Sequence, residues 1–413
     1  MKDDRDYKLL LWGQFLGAFG DNFILKAILG PLTYELARGS ITIQRVNAEN
    51  ALFSAVFFIP FIVLAPLVGF LNDRMPKTTW LFGGNLIKVL GTGLCLVGVV
   101  APLGTRAHFW QVLGYTVVGL GACVYSPAKY GILPEILPAG RLVKANGWVE
   151  MLTLVAIVTG LIAGAALYDW TRSLPLCYLA ALLLYGAALA LNAAMKRTPC
   201  DPSARFRRSL AEFGGSLAGY VRHPRLGRIL LGSGFFWFAG AVLRTNLQGW
   251  GIEVFRAADI SNITNEKLVL LNVGLVVGIV SGAMLAGELH RTGDLSWSRR
   301  YGFLMAAAIA MLGWLGGGHG IAVVVAALVA VGIFGGLLLV PLNAALQAEC
   351  DQSKLGKTVS IQNFTDYLSM LAGAGFLAAA AKFNLTPTQV FLALGVALAL
   401  IAGALRLAVR KDA

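Results

Sequence analysis

Long apolar runs, almost free of charge, recur along the whole chain between short polar breaks. A bilayer hydrocarbon core of about 30 Å needs about 20 helical residues to cross it, and the runs have that length. The other membrane architecture, a barrel of strands alternating apolar and polar over about ten residues, is absent from the pattern. Hydropathy and helix breakers predict spans over residues 9–37, 48–71, 78–100, 107–134, 142–168 and 174–194. A second set follows over 226–255, 267–290, 300–317, 321–349, 357–382 and 386–409. The expected fold class is an all-α membrane protein with about twelve transmembrane helices.

Between the two sets lies the only long polar connection, rich in arginine and carrying Pro199, Pro202 and Pro224. Such a stretch reads as a linker. The expected organisation is a six-helix bundle over 1–195, a basic cytoplasmic linker over 196–225 and a second six-helix bundle over 226–413. Weak internal symmetry supports a duplication. Phe15, Gly17, Ala18 and Asp21 in the first span align with Phe238, Gly240, Ala241 and Arg244 in the seventh, and Pro127 and Glu135 match Pro341 and Glu349. The two bundles are therefore expected to be pseudo-symmetric.

Composition agrees with a lipid solvent: 57% of the 413 residues are hydrophobic and only 13% charged. The net charge of +13 raises the question of nucleic acid, but in a membrane protein the basic residues are first counted by side. With the amino terminus inside, inner segments hold 23 Lys and Arg, outer loops 7 and the spans 4 of the 34. That asymmetry predicts cytoplasmic termini and accounts for the charge without nucleic acid. The basic linker can instead attract anionic membrane lipids, at roughly 1 kcal/mol per residue near the surface. Five scattered cysteines lack metal or disulfide spacing, and no phosphate-binding glycine loop is present. No metal and no cofactor are implied, and the first helix reads as an uncleaved insertion signal.

Charges inside a membrane cost several kcal/mol and need a partner or a function. Asp21, followed by Asn22, lies about 18 Å along the first span at the helical rise; it reads as a substrate residue or as half of a structural ion pair. Lys88 is expected in the interior. Lys129 and Tyr130 follow Pro127, which removes a backbone donor and should break the fourth span beside a buried cation; the alternative is a lysine reaching for the interface. Arg244 matches Asp21 by repeat position and offers a planar fork suited to phosphate. Asn146 with Glu150, and Gln362 with Asp366, repeat an amide and a carboxylate four apart on one helical face, to line the cavity or to latch the two halves together. Small-xxx-small pairs such as Gly160/Gly164, Gly278/Gly282 and Gly332/Gly336 predict close helix crossings.

The turn Gly69-Phe70-Leu71-Asn72-Asp73-Arg74-Met75-Pro76-Lys77 resembles the loop signature of the major facilitator superfamily, with Pro76 and Thr78 departing from it. The resemblance implies that Asp73, Arg74 and Lys77 gate alternating access. More specific are Gln14-Phe15-Leu16, Ala18 to Asn22, Tyr125 to Leu133, Leu142 to Gly147, Val340 to Ala344 with Asn343, and Ile361-Gln362-Asn363. Together these are similar to the bacterial lysophospholipid transporter family. That resemblance implies flipping of lysophosphatidylethanolamine and related lysolipids to the cytoplasmic leaflet of the inner membrane. There a partner acyltransferase/acyl carrier protein synthetase would re-acylate them. Asp366 stands where the resemblance calls for glutamate. No His-x4-Asp acyltransferase spacing follows any of the four histidines, so the chain is not expected to be an enzyme. The competing expectation is a proton-coupled exporter of a small amphiphile on the same fold.

Overall fold

The computed structural model describes residues 3–38, 40–41, 43–101, 107–200, 206–257, 265–315, 320–351 and 354–406. Residues 201–205 of the expected linker, and the ends of the expected spans 300–317 and 386–409, lie outside the described residues. Apart from a short 3-10 turn the elements are helices: α1 (Asp3–Ala37), α2 (Ile43–Val63), α3 (Ala65–Arg74), α4 (Lys77–Val100), α5 (Ala107–Gly131), α6 (Leu133–Ile136), α7 (Leu142–Thr171) and α8 (Leu174–Ala193). They continue with α9 (Phe206–Arg222), α10 (Leu226–Ala257), α11 (Asn265–Leu289), α12 (Ser298–Leu315), α13 (Ile321–Glu349), α14 (Leu355–Lys382) and α15 (Pro387–Ala404).

Among the described residues ten helices are long and apolar enough to cross a bilayer, or eleven with the bent pair α2–α3 as one span. The remaining expected span corresponds to α12, whose described part has 18 residues and spends Arg299 and Arg300 in its first turn. The second span, expected over 48–71, bends by 60° after Val63. Pro66, in the first turn of α3, has no N–H to give the carbonyl four residues back, and a missing rung of this kind kinks a helix. The expected break at Pro127 does not occur there. Pro127 and Pro341 lie inside continuous helices, and the fourth span breaks only after Gly131, ahead of Pro134 in α6.

Large apolar side chains cover the outside, with Trp170 85% and Leu183 77% exposed. Such a surface is tolerable only against lipid. Inside, glycines let helix backbones touch. A Cβ on Gly160 or Gly164 would lie 2.5 or 2.2 Å from the carbonyl oxygens of Phe19 or Phe23, and Gly278 and Gly282 meet those of Val329 and Ile333 at 2.2 Å. These are the close crossings that the small-residue pairs predict.

The chain divides into two compact units. One comprises Met1–Leu137, Leu152–Phe213 and Asp351–Asn363; the other comprises Pro138–Met151, Gly214–Cys350 and Phe364–Ala413. Helices α7 and α14 thus contribute their first turns to one unit and their remainder to the other.

Candidate functional site

In the first unit the interior of α1 holds a charged cluster. Lys88 Nζ of α4 donates to Asp21 Oδ2 at 2.7 Å, and the Tyr185 hydroxyl of α8 donates to Asp21 Oδ1 at 2.8 Å. The Tyr115 hydroxyl of α5 donates to the Asp21 main-chain carbonyl at 3.2 Å. Asp21, Lys88, Tyr115 and Tyr185 are all buried, so both charges are compensated where water is excluded. Lys88 Nζ also lies 5.5 and 5.6 Å from the ring centroids of Tyr125 and Tyr185, within the range of cation–π attraction. Lys129 is buried as well, its ammonium 4.4 Å from the Tyr130 ring centroid. Asn22 turns back to donate to the Ala18 carbonyl at 2.8 Å.

The second unit carries a different polar arrangement. Asn146 and Gln347 exchange two amide hydrogen bonds, both at 2.9 Å, and one turn further on Asn343 donates to Glu150 at 3.4 Å. Two polar positions four apart on α7 therefore meet two four apart on α13. Asp366 accepts from the Ser233 hydroxyl at 2.7 Å. Gln362 is buried in the first unit while Asp366 belongs to the second, so the amide–carboxylate pair on α14 is divided. Arg244 is exposed on α10.

The loop residues form a set of their own in the first unit. Asp73 accepts the backbone N–H of Gly356 at 2.7 Å and that of Lys357 at 3.2 Å, so a carboxylate on α3 caps the first turn of α14. That turn otherwise exposes unpaired donors and a positive dipole end. The Lys357 ammonium reaches Glu212 of α9 at 3.3 Å. Lys77 is buried and pairs with Glu135, and the Arg74 guanidinium lies 5.7 Å from the Phe70 ring centroid. A Cβ on Gly69 would be 3.1 Å from the Lys357 Cα.

Sequence reasoning missed the counterpart of this loop. In the second unit a Cβ on Gly287 would be 2.9 Å from the Lys144 Cα, and Lys144 pairs with Glu288. Thr292 donates to the Ala139 carbonyl, and Arg225 binds both oxygens of Glu349 at 2.6 Å. The available signal was a second glycine–basic turn, Gly287 to Arg291, at the end of a span. Tyr115 and Tyr185 were missed because a tyrosine in an apolar run reads as packing unless its hydroxyl partner is known.

Bundled membrane helices, a capped loop after the second span and buried charges inside the first unit are the features of a polytopic membrane transporter. Residues 10–374 match the Major Facilitator Superfamily, and the chain belongs to it. Solved structures agree on the fold. The human organic anion transporter MFSD10 superposes with a TM-score of 0.79 at 16% identity, over 98% of this chain and 100% of that one. The E. coli fucose:proton symporter gives 0.72 at 15%, over 97% of each.

Within the superfamily, the lysophospholipid transporter LplT of Photorhabdus laumondii is 33% identical over 401 residues, 96% of this chain and 94% of its own. Those of Klebsiella pneumoniae and Escherichia coli are 32% and 30% identical, over 96% and 97% of this chain and 94% and 95% of theirs. The chain is a member of this bacterial lysophospholipid transporter family.

Proposed function

We propose that the protein carries lysophosphatidylethanolamine and related lysolipids to the cytoplasmic leaflet of a bacterial inner membrane, with both termini cytoplasmic. There a partner acyltransferase/acyl carrier protein synthetase re-acylates them. The observation that carries this reading is the likeness to named lysophospholipid transporters at 30–33% identity along nearly the whole of both chains.

The chemistry of the cluster supports it. A zwitterionic headgroup needs a cation for its phosphate and an anion for its ammonium. Asp21 supplies the anion, and Arg244, Lys129 or Lys88 the cation; Asn22, Tyr130, Glu150, Asn343, Gln362 and Asp366 complete the polar set. The halves 1–195 and 226–413 rock about the linker 196–225 to exchange access, and Asp73, Arg74 and Lys77 latch that motion. The acyl tail stays in lipid. Withdrawing a chain of about sixteen carbons would cost about 13 kcal/mol at about 0.8 kcal/mol per methylene, so the headgroup enters sideways between the halves.

Reconstitution into proteoliposomes with labelled lysophosphatidylethanolamine on one leaflet tests the reading. Flipping above protein-free vesicles is expected without an imposed pH gradient. Flipping that needs the gradient, or export of an amphiphilic amine in its place, would replace this reading by a proton-coupled exporter.

A further inference from the structure

Beside the Asp21–Lys88 pair lies a group that none of the interactions above employs. Asn85 on α4 is completely buried, and neither its amide nitrogen nor its amide oxygen has a hydrogen-bond partner among the described residues. It sits one turn before Lys88, on the side facing α1. There the opposing residue is Gly17, whose hypothetical Cβ would lie 3.3 Å from Asn85 Oδ1 and 3.5 Å from Lys88 Nζ. A buried amide with both its donor and its acceptor idle is costly, and native proteins keep one only where something else completes it. A helix-interior glycine is also unfavourable relative to alanine. Gly240, its repeat counterpart, has nothing within 4 Å of its hypothetical Cβ, so at this repeat position the close polar approach is made in the first bundle and not in the second.

We infer that Gly17, Asn85 and Lys88 form a headgroup pocket against Asp21, in which the substrate's ammonium replaces the Lys88 ammonium and the released Lys88, with Asn85, takes the phosphodiester. This rests on the reading that the chain moves lysophospholipids. Each Asp21 carboxylate oxygen already accepts one hydrogen bond in this structure, Oδ1 from Tyr185 and Oδ2 from Lys88. An incoming ammonium competes with Lys88 for the single negative charge, and exchange keeps that buried charge paired with one cation. Tyr185 is a rigid ring buried on α8, whereas lysine has a flexible stem and a compact ammonium, the same chemical group that ends an ethanolamine head. Lys88 therefore stands in for the substrate and holds the pocket closed when no headgroup is present. On exchange its charge meets the phosphate of the molecule that displaced it, so neither buried charge is left unpaired. The Asn85 amide then finds an acceptor among the phosphate oxygens. Gly17 is the wall: a side chain there would fill the space the headgroup enters. The pocket suits a phosphodiester with a primary ammonium. A trimethylated choline head lacks the N–H donors that Asp21 accepts.

Gly17→Ala and Asn85→Leu test the inference, with equilibrium binding and flipping of lysophosphatidylethanolamine, lysophosphatidylglycerol and lysophosphatidylcholine measured per folded protein. Thermal unfolding of the same samples is followed in detergent. Wild-type flipping of a lysolipid is the control for the underlying reading; if it is absent, that reading fails, whatever the variants do. Given wild-type transport, both variants are expected to unfold at or above the wild-type temperature. One loses a helix glycine and the other an unpaired amide. Both are expected to bind lysophosphatidylethanolamine about tenfold or more weakly, the size of one lost hydrogen bond to a charged group. Lys88→Arg is expected to keep phosphate affinity and to lower the preference for the ethanolamine over the choline headgroup, because a guanidinium is harder to displace from a carboxylate. Unchanged binding and lipid preference in stable variants would overturn the inference. So would a loss of binding that merely follows a loss of folded protein.

Discussion

Asp73 and Gly356, 283 positions apart in the chain, meet in a 2.7 Å hydrogen bond from the Gly356 backbone N–H to the Asp73 carboxylate. The contact joins the end of α3 to the first turn of α14, and Lys357 in the same turn binds Glu212 of the linker helix α9. A charge against a helix N-terminus contributes about 0.3–1 kcal/mol when exposed and up to about 2 kcal/mol when partly buried. That is enough to bias a conformational equilibrium and too little to hold it shut.

Asp73→Asn keeps an oxygen acceptor and removes the charge. Flipping is expected to slow several-fold while lysolipid affinity stays within about twofold, because the residue acts on the latch and not on the headgroup. The check is a dissociation constant and a flipping rate on one preparation. Equal losses in both would remove Asp73 from the gating role.

Asp21→Asn is expected to impair lysophosphatidylethanolamine more than lysophosphatidylglycerol, which has no ammonium. Arg244→Ala is expected to impair every phosphate-bearing lysolipid alike. A lost charge-assisted hydrogen bond of roughly 1.5–3 kcal/mol corresponds to about ten- to a hundredfold in affinity. Identical lipid profiles for the two variants would sink this assignment.

The Asn146–Gln347 exchange makes a stability test free of substrate. Asn146→Leu removes both amide bonds that it exchanges with Gln347 and is expected to lower stability by about 1–3 kcal/mol. Asn146→Leu with Gln347→Leu is expected to lower it by less than the two single changes together, since both single changes break the same pair of bonds. Strictly additive losses in a double-mutant cycle of unfolding would contradict a coupled pair.

Gly164→Ala places a methyl 2.2 Å from the Phe23 carbonyl oxygen, whereas Gly93 has nothing within 4 Å. Gly164→Ala is expected to reduce folded protein sharply. Gly93→Ala is expected to leave it unchanged or to raise stability by up to about 1 kcal/mol through helix propensity. Size-exclusion profiles and thermal unfolding in detergent compare the two directly.

A reporter fused after Ser203 is expected to be active only in its cytoplasmic form, because this orientation alone puts 23 basic residues inside against 7 outside. A periplasmic signal there would reverse the topology.

The membrane class and the helices were legible because lipid imposes long apolar runs, and the glycine crossings because only small residues admit backbone contact. Pro127 misled because its position in the last turns of α5, near Gly131, left the helix continuous and moved the break to Pro134. Pro66 gave the real bend, yet its signal was hidden inside an apolar run. At the site, Asp21 and Lys88 each announced a buried charge. Their pairing lay beyond the sequence, because 67 positions separate them and several other buried charges were equally good partners on paper. Asn85, three residues before Lys88, went with the reading of Lys88 as interior, but an idle amide is a property of its surroundings and not of its letter.

The glycine contacts of α7 have an electrical consequence. The Phe19 and Phe23 carbonyls, two residues either way from Asp21 and Lys88's hold on it, nest over Gly160 and Gly164. A slip of one turn, about 5.4 Å, would bring Ala156 or Tyr168 under a carbonyl that has no room for a side chain. The two helices are thus geared together, and Asp21 travels through the bilayer only with its scaffold and its counter-charge. What crosses the field is then a dipole of zero net charge. The membrane potential, worth about 2.3 kcal/mol per elementary charge per 100 mV, finds little purchase on this part of the protein. Voltage sensitivity of transport is then expected from the headgroup's own charge or from the other charged side chains in the spans, Lys129, Glu150, Asp366 and Arg244.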